Sequence, residues 1–384
     1  MTPKISLVLL AAGLLSTAQM SKCNEQVAGP TGVIASEKLS FTIDTLAADL
    51  EVPWGIAFLP NGDMLFTERN GNLRIMQGGQ LHPTPIAGMP EVHAKGQGGL
   101  FEVVLHPNYA ENGWIYLTYA SAAKPGESGE GSNTTVMRAR LDGYSLKDQE
   151  VIFKASPNYT TNHHYGGRLV FDKAGFMFLT VGDRGEQDEA QLLSTHRGKV
   201  LRLKDDGTVP EDNPYVGQAD ARPEIYSYGH RNPQGLIMHP ETGTIWEHEH
   251  GPQGGDELNI VQRAHNYGWP VITYGINYNG TIITKDTVRE GMDQPVIFWR
   301  PSIAPCGMDF VMSDKYGDWK GNLLVGSMKF RYLKRLELTG EKVTHQEILI
   351  ENIGRIRAVR QGPDGYIYLA IEGPGMIVRL KPAA

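Results

Sequence analysis

The sequence predicts an all-β protein, a six-bladed β-propeller, and three observations carry that expectation. One pattern recurs six times: an apolar strand, a turn built on Pro or Asp with Gly or Asn, then a second apolar strand. Residues within the copies alternate, so that in the last one Ile367, Leu369 and Ile371 fall on one face and Tyr366, Tyr368 and Ala370 on the other. The 384-residue chain also carries 45 glycines and 23 prolines. Glycine at that level, well above the usual share of about 7%, means a backbone that turns often, which suits short strands and excludes an all-helical fold.

In order, the copies run from Trp54 to Thr67, Gly99 to Thr118, Gly167 to Thr180, Gly235 to Trp246, Gly307 to Val325 and Arg357 to Ala370. Asn61-Gly62 and Asp364-Gly365 are hairpin signals, because a two-residue turn needs positive φ. Third strands follow several copies, as at 72–76, 199–203 and 376–380. Hairpins of three or four strands at this spacing read as blades, which close radially and hide their edges. A pair of β-sandwiches or a β-helix has a different period. The wide spacing also leaves long connections, and long connections carry sites. Residues 120–133 read as a flexible polar loop, and 262–300 as an insertion rich in Tyr, Asn and Gly.

Residues 1–20 read as a signal peptide. Met1 to Lys4 is weakly basic, Ile5 to Leu15 is an apolar run too short to span a bilayer, and Ser16-Thr17-Ala18 offers a small-residue cleavage site. Residues 21–40 are expected as a linker and 41–384 as one propeller domain, exported to the periplasm. Cys23 leaves lipid anchoring as an alternative, which Lys22 directly before it disfavours. Cys306 is the one other cysteine, so there is no disulfide framework. A net charge of −7, with no basic stripe, excludes nucleic acid as a partner.

Several chemistries are absent from the sequence. It holds no phosphate-binding G-x-x-x-x-G-K-[ST], no dinucleotide-type G-x-G-x-x-G after a strand, no G-x-S-x-G and no H-E-x-x-H. His248 and His250 share a strand face, with Glu247 and Glu249 opposite, but two histidines are an incomplete zinc site; a polar channel lining is the simpler reading. Four segments carry more polar residues than their strand-end positions need: His163 to Arg168, Gly182 to Gly185, Gly229 to Gly235 and Glu249 to Glu257. Strand starts near a propeller axis share one face, so these segments can converge. A histidine with a carboxylate partner is a general base of fixed tautomer. Gly-Pro carbonyls beside acidic residues suit a hard cation such as calcium. The competing account is a channel lining in which every polar group is simply satisfied.

The stretches GHRNPQGL at 229–236 and HGPQGGDELN at 250–259, with HYGGR at 164–168, make the chain resemble the soluble PQQ-dependent glucose and aldose sugar dehydrogenases over about residues 50–384. The resemblance implies the same six-bladed fold and a set of roles. His164 matches the general base that deprotonates the anomeric hydroxyl as hydride leaves C1 for the quinone, Asp183 the carboxylate orienting it, and Arg231 the cation stabilising the quinone oxygen. Asn232 and His250 fall at the cofactor, and Lys329, Arg355 and Arg357 match the clamp on its carboxylates. Arg355 and Arg357, two apart on a strand, would share a face. Gln97, Asp183 and Asp188 match substrate contacts. The Gly251 and Pro252 carbonyls match ligands of the calcium that bridges PQQ, while Glu257 and the Tyr267 carbonyl resemble a second, structural calcium site.

His250 and Asp188 stand where the glucose-enzyme pattern has glutamines, and the chain is shorter than the dimeric glucose enzymes. Both points favour the aldose sugar branch: a monomer that oxidises the C1 hydroxyl of varied aldoses to lactones with PQQ and calcium. No residue specifies the electron acceptor, a membrane quinone being one route. Two other classes stay open. A calcium-dependent lactonase-type hydrolase would have no use for Lys329, Arg355 and Arg357, and a non-catalytic sugar- or protein-binding propeller would keep the scaffold without turnover.

Overall fold

Each sequence copy folds into the two innermost strands of an antiparallel sheet, and the computed structural model, which describes residues 32–383, contains six such sheets. The leader expected at 1–20, and Cys23, lie outside these residues. Blade 1 is built from Pro53–Phe58, Met64–Glu68, Leu73–Gln77 and Gln80–Leu81. Blade 2 comprises Leu100–Leu105, Trp114–Ala122, Ser132–Asp142 and Ser145–Lys154; blade 3 comprises Leu169–Phe171, Met177–Val181, Lys199–Leu203 and Ile225–Tyr228. Blade 4 holds Pro233–Met238, Ile245–Glu249, Asp256–Val261 and Ile297–Trp299, and blade 5 holds Pro305–Phe310, Leu323–Ser327, Leu333–Thr339 and Lys342–Ile350. The inner strand of each blade contacts that of the next, and blade 6 contacts blade 1, so the ring is closed.

Blade 6 joins the two ends of the described chain. Arg355–Gln361, Ile367–Glu372 and Met376–Pro382 pair in sequence, and Ser40–Ala47 then adds beside Met376–Pro382. Asp44 and Arg379 fasten this junction at 2.8 Å. Ile34–Ala35 pairs with Ser40 and Phe41, so the sheet reaches into the segment expected as linker. The loop expected at 120–133 is shorter than its composition suggests. Strands run to Ala122 and resume at Ser132, because Ser132, Asn133 and Thr134 are buried against the next blade.

The alternation of the repeats is explained by burial on both faces of every sheet. Ile367, Leu369 and Ile371 pack toward blade 5 with Leu324 and Val359, whereas Tyr368 and Ala370 pack toward blade 1 with Ile56 and Phe66. The terminal threonine of the first three copies has a second duty. Thr67, Thr118 and Thr180 Oγ1 accept hydrogen bonds from the inner-strand N–H groups of Gly55, Glu102 and Arg168. Thr67 and Thr118 also donate to Phe101 O and Gly167 O of the following blade, at 2.5 and 2.6 Å. Each buried hydroxyl therefore satisfies inner-strand backbone, and those of Thr67 and Thr118 also tie adjacent blades.

Arg168 sits at the axis and reaches the inner strand of every other blade. Its guanidinium lies 3.8 Å over the Trp54 ring of blade 1 and bonds Glu102 of blade 2 at 2.8 Å. It donates to Gln234 O of blade 4 at 2.7 Å, Cys306 Sγ of blade 5 at 3.2 Å and Arg357 O of blade 6 at 2.5 Å. Cys306 is a free, buried thiol.

Candidate active site

Inner strands begin, and second strands end, on one face of the ring, and that face gathers the polar segments. Residues 163–168 enter blade 3, 182–185 leave its second strand, 229–232 enter blade 4, and 250–255 leave that blade's second strand. His164 adopts φ +53°, a left-handed conformation uncommon for a residue with a side chain, and Arg184 adopts +59°. Their surroundings enforce it. Buried Arg184 stacks 3.4 Å over Tyr165 and donates to His163 O at 2.8 Å and to Thr161 O. A Cβ at Gly182 would overlap the His164 carbonyl, so the absent side chain lets the two segments touch.

That contact builds a dyad. His164 Nδ1 lies 2.7 Å from Asp183 Oδ1, which also accepts the Gly185 N–H at 2.8 Å. Asp183 Oδ2 accepts the indole N–H of Trp269 at 2.8 Å. Both carboxylate oxygens are thus engaged, and the carboxylate selects the tautomer with hydrogen on Nδ1, leaving Nε2 as an acceptor. Burial, opposed by the bond to Asp183, holds the His164 pKa below 6.5, so the imidazole is neutral at pH 7. For Asp183, burial is outweighed by the His164 hydrogen bond and the His164 and Arg231 charges, which keep the carboxyl below its ordinary range.

The dyad opens on a cavity of about 510 Å³, partly open to solvent, lined by Gln97, His163, Arg231, Pro252, Trp269 and Tyr278 among others. Gln97 Oε1 accepts the His164 N–H at 2.9 Å and also lines a second, more enclosed cavity. Trp54, Phe101 and Tyr165 give this second space apolar walls, and Asn232, Gln234 and His250 supply polar atoms. Arg69, Arg355 and Arg357 give it charge. Glu372 holds the last two together, accepting a hydrogen bond from Arg357 Nε at 2.6 Å and forming an ion pair with Arg355, 3.3 Å from its Nε. Three guanidinium groups beside one carboxylate leave an excess of positive charge, and an aromatic slot with that excess fits a planar polyanion.

The structure therefore brings together His164, Asp183, Arg231, Asn232, His250, Gln97, Arg355 and Arg357. It does not bring Lys329 and Asp188 to the cavity walls. Lys329 is exposed, its ammonium 5.2 Å over the Phe330 ring, and Met328 lines the more enclosed cavity instead. Asp188 is likewise exposed on the Gln187–Gln191 3₁₀ turn, and Gln187 is the residue of that turn that lines the outer cavity. Sequence reasoning missed Arg69, Glu372, His163 and Trp269. Of these, His163 and Trp269 lay inside regions already marked, the His163 to Arg168 segment and the 262–300 insertion.

The donor sets proposed for cations can be tested on the same face. Arg231 Nη1 donates to Gly251 O at 2.8 Å, and Ser302 Oγ donates to Pro252 O at 3.1 Å. Each carbonyl keeps one lone pair, so two neutral oxygens remain for a hard cation and an anionic cofactor would complete its shell. Deeper in the fold, Glu247, Glu249, Glu257 and Asn259 share one face of blade 4 and meet His230, whose ring stacks 4.6 Å from Tyr267. His230 Nδ1 lies 3.7 Å from Glu249 and 4.0 Å from Glu247, too far for hydrogen bonds, and it and Glu247 Oε1 are buried without partners. Burial, then the Glu249 charge, pushes the Glu247 and Glu257 carboxyls well above their ordinary range. Crowded, orphaned carboxylates of this kind fit a divalent cation. Glu249 does further work: its Oε2 accepts the backbone N–H groups of Arg231 and Asn232, fixing the segment that lines both cavities.

The profile of the glucose / sorbosone dehydrogenase family matches residues 50–379. The chain belongs to that family. It is 43% identical over 347 residues to aldose sugar dehydrogenase YliI of Escherichia coli, covering 88% of this chain and 92% of that protein. The crystal structure of the soluble E. coli aldose sugar dehydrogenase in its apo-form superposes with a TM-score of 0.84 at 39% identity, covering 89% of this chain and all of that one (100%). The PQQ-bound aldose sugar dehydrogenase of Streptomyces coelicolor matches with a TM-score of 0.73 at 25% identity, covering 89% of this chain and 98% of that one. Fold and family thus agree with the expectation, and the chain is an oxidoreductase of the aldose and glucose dehydrogenase type.

Proposed function

We propose that this protein oxidises the C1 hydroxyl of aldose sugars to lactones in the periplasm, with PQQ and calcium as cofactors. The observation that carries the reading is the His164–Asp183 dyad, facing Arg231 and Gln97 across one cavity whose more enclosed neighbour is aromatic and cationic. A PQQ-bound relative supports the cofactor assignment. When bound, PQQ would accept the hydride from C1 and calcium would polarise its quinone carbonyl. The residues that would hold PQQ are Arg69, Arg355, Arg357, Asn232 and His250, with the Gly251 and Pro252 carbonyls on the bridging cation. Glu257, Glu249 and the Tyr267 carbonyl would hold the second.

The chain's own groups have separable tasks. His164 Nε2 takes the proton from the C1 hydroxyl, and Asp183 holds the ring in place and stabilises the imidazolium that forms. Arg231, already fixed by the His250 and Gly251 carbonyls, supplies positive charge without reorganising. Gln97 fixes the backbone of His164 and offers its amide N–H groups to the sugar. Trp269 closes one wall, holding water off Asp183.

The test is reconstitution of the purified protein with PQQ and calcium, followed by dye reduction across a panel of aldoses. His164→Ala is expected to lower turnover by about 10²- to 10⁴-fold while PQQ still binds. Undiminished turnover in that variant overturns the mechanism. Absence of PQQ-dependent turnover with every aldose would leave a binding propeller as the account.

A further inference from the structure

Asp183 Oδ2 is held by a tryptophan that no strand carries. Trp269 lies between the third and fourth strands of blade 4, in the 262–300 insertion, yet its indole N–H meets the dyad at 2.8 Å. An irregular segment keeps such a position only if its own polar groups are tied down. Gln191, which ends the Gln187–Gln191 3₁₀ turn, donates from Nε2 to Trp269 O at 2.7 Å and to Asn266 Oδ1 at 3.0 Å. Asn266 Nδ2 donates back to Gln191 Oε1 at 2.8 Å, so both amide hydrogens and the oxygen of Gln191 are engaged. A second route runs through the backbone. Trp269 N–H donates to Gly229 O at 2.9 Å, and Gly229 N–H donates to Ala190 O at 3.0 Å. Only glycine fits at 229, since a Cβ would stand 2.2 Å from Asn266 Oδ1 and φ is +79°. The 3₁₀ turn is itself anchored by Lys199, fully buried, whose Nζ donates to the carbonyls of Glu189 and Ala190 at 3.1 and 2.9 Å and to that of Arg197.

We propose that Gln191 is a positioning residue of the reaction: it fixes Trp269 against Asp183, and through that bond it steadies the carboxylate that orients His164. Gln191 lines neither of the two cavities, so its influence on the dyad passes through Trp269. The effect on turnover rests on the aldose-oxidising reading above, whereas the placement of the indole does not. Trp269 has a single side-chain donor, and a hydrogen bond weakens steeply once the N–H turns away from its acceptor. Without the Gln191 amide, Trp269 O loses a donor and Asn266 Nδ2 its acceptor, and the insertion is freed at the residue whose indole must stay aligned. Asp183 is 1% exposed, so water does not readily replace the missing N–H at Oδ2. Being neutral, Gln191 holds Trp269 without adding a charge of its own near the dyad.

The experiment is a double-variant cycle in the PQQ- and calcium-loaded enzyme. Gln191→Met, which keeps the length of the side chain and removes its polar atoms, is expected to lower kcat about tenfold. In a Trp269→Phe background the same change should alter kcat by less than about twofold, because the bond it protects is already gone. Effects that multiply in the double variant would indicate a general structural role and overturn the proposal. Gln191→Glu keeps an acceptor for Asn266 Nδ2 but has no N–H for Trp269 O, so it should behave as Gln191→Met does; wild-type turnover in both refutes the assignment. Indole ¹H–¹⁵N resonances of the protein without PQQ separate this from failure of the underlying reading. The Trp269 signal, identified by its loss in Trp269→Phe, is expected to move upfield in Gln191→Met as its bond to Asp183 weakens, even if no aldose is oxidised. A Trp269 resonance that stays in place in that variant overturns the proposal, whatever happens to turnover.

Discussion

Replacing Arg168 by Met tests whether one side chain holds the ring together at its axis. The guanidinium is 2% exposed and bonds Glu102, itself 1% exposed, at 2.8 Å. Without it, Glu102 keeps only Arg360 at 3.3 Å, its Oε1 being already unpartnered, and three further acceptors from blades 4, 5 and 6 each lose a donor, Arg357 O keeping only the Cys306 thiol at 3.5 Å. Removing one partner of a buried pair costs about 3–5 kcal/mol, because the other charge stays buried. In a chain this large one kcal/mol moves Tm by about 2 °C, so a fall of about 6–10 °C is expected. The assay is thermal unfolding of Arg168→Met, Glu102→Gln and the double variant. Because the cost is an uncompensated charge, the double variant should be more stable than the sum of the singles predicts, by about 0.5–3 kcal/mol. A Tm within about 1 °C of wild type for Arg168→Met, or strict additivity, would refute the reasoning.

Three further outcomes follow from the site. Trp269→Phe keeps the wall but removes the N–H to Asp183; a hydrogen bond to a charged group contributes about 1.5–3 kcal/mol, so kcat should fall about 10- to 100-fold in steady-state dye assays, and an unchanged kcat would reduce Trp269 to a wall. Since burial holds His164 below 6.5, kcat/KM should be flat above neutrality and fall as pH drops through that lowered pKa, where the imidazole gains a proton and can accept none; an acid limb above pH 7 would contradict the assignment. Chelation should lower Tm, and calcium at about 100 times its Kd should return about 2.7 kcal/mol, a response that Glu257→Gln diminishes; a Tm blind to calcium would mean that the blade 4 carboxylates hold protons instead.

What the sequence made legible was whatever repeats or stays local. The period-2 alternation at 366–371 matches its two-faced burial residue by residue, and the threonines that end the first two copies make the blade-to-blade hydrogen bonds. The His164–Asp183 pair was reachable because both residues sit in glycine-rich strand ends. Trp269 and Arg69 were not, since Asp183 lies 86 residues from Trp269 and Arg69 meets the arginines of another blade, and no local pattern records such pairing; Glu372 sits opposite Arg355 on the next strand of its own blade, a contact that depends on the register of that hairpin. His230 was not singled out for a similar reason: the carboxylates it meets are on the strand face opposite His248 and His250, so the histidine that joins the acidic cluster comes from a different strand end. Lys329 lies over Phe330, and a strand-end lysine reads alike in sequence whether it turns inward or outward.

Joining Ser40–Ala47 to Met376–Pro382 also dictates an order of events in folding. Asp44 and Arg379 are 335 residues apart, so their junction is among the last contacts a growing chain can make. Until then the ring is an open arc with two bare strand edges, each able to pair with the wrong chain. The entropy of closing so long a loop rises only slowly with its length, so closure delays folding far more than it weakens the folded state. A chain shortened before Met376 would therefore lose the means of completing the circle, and with it the shared face on which His164, Arg231 and Arg357 meet.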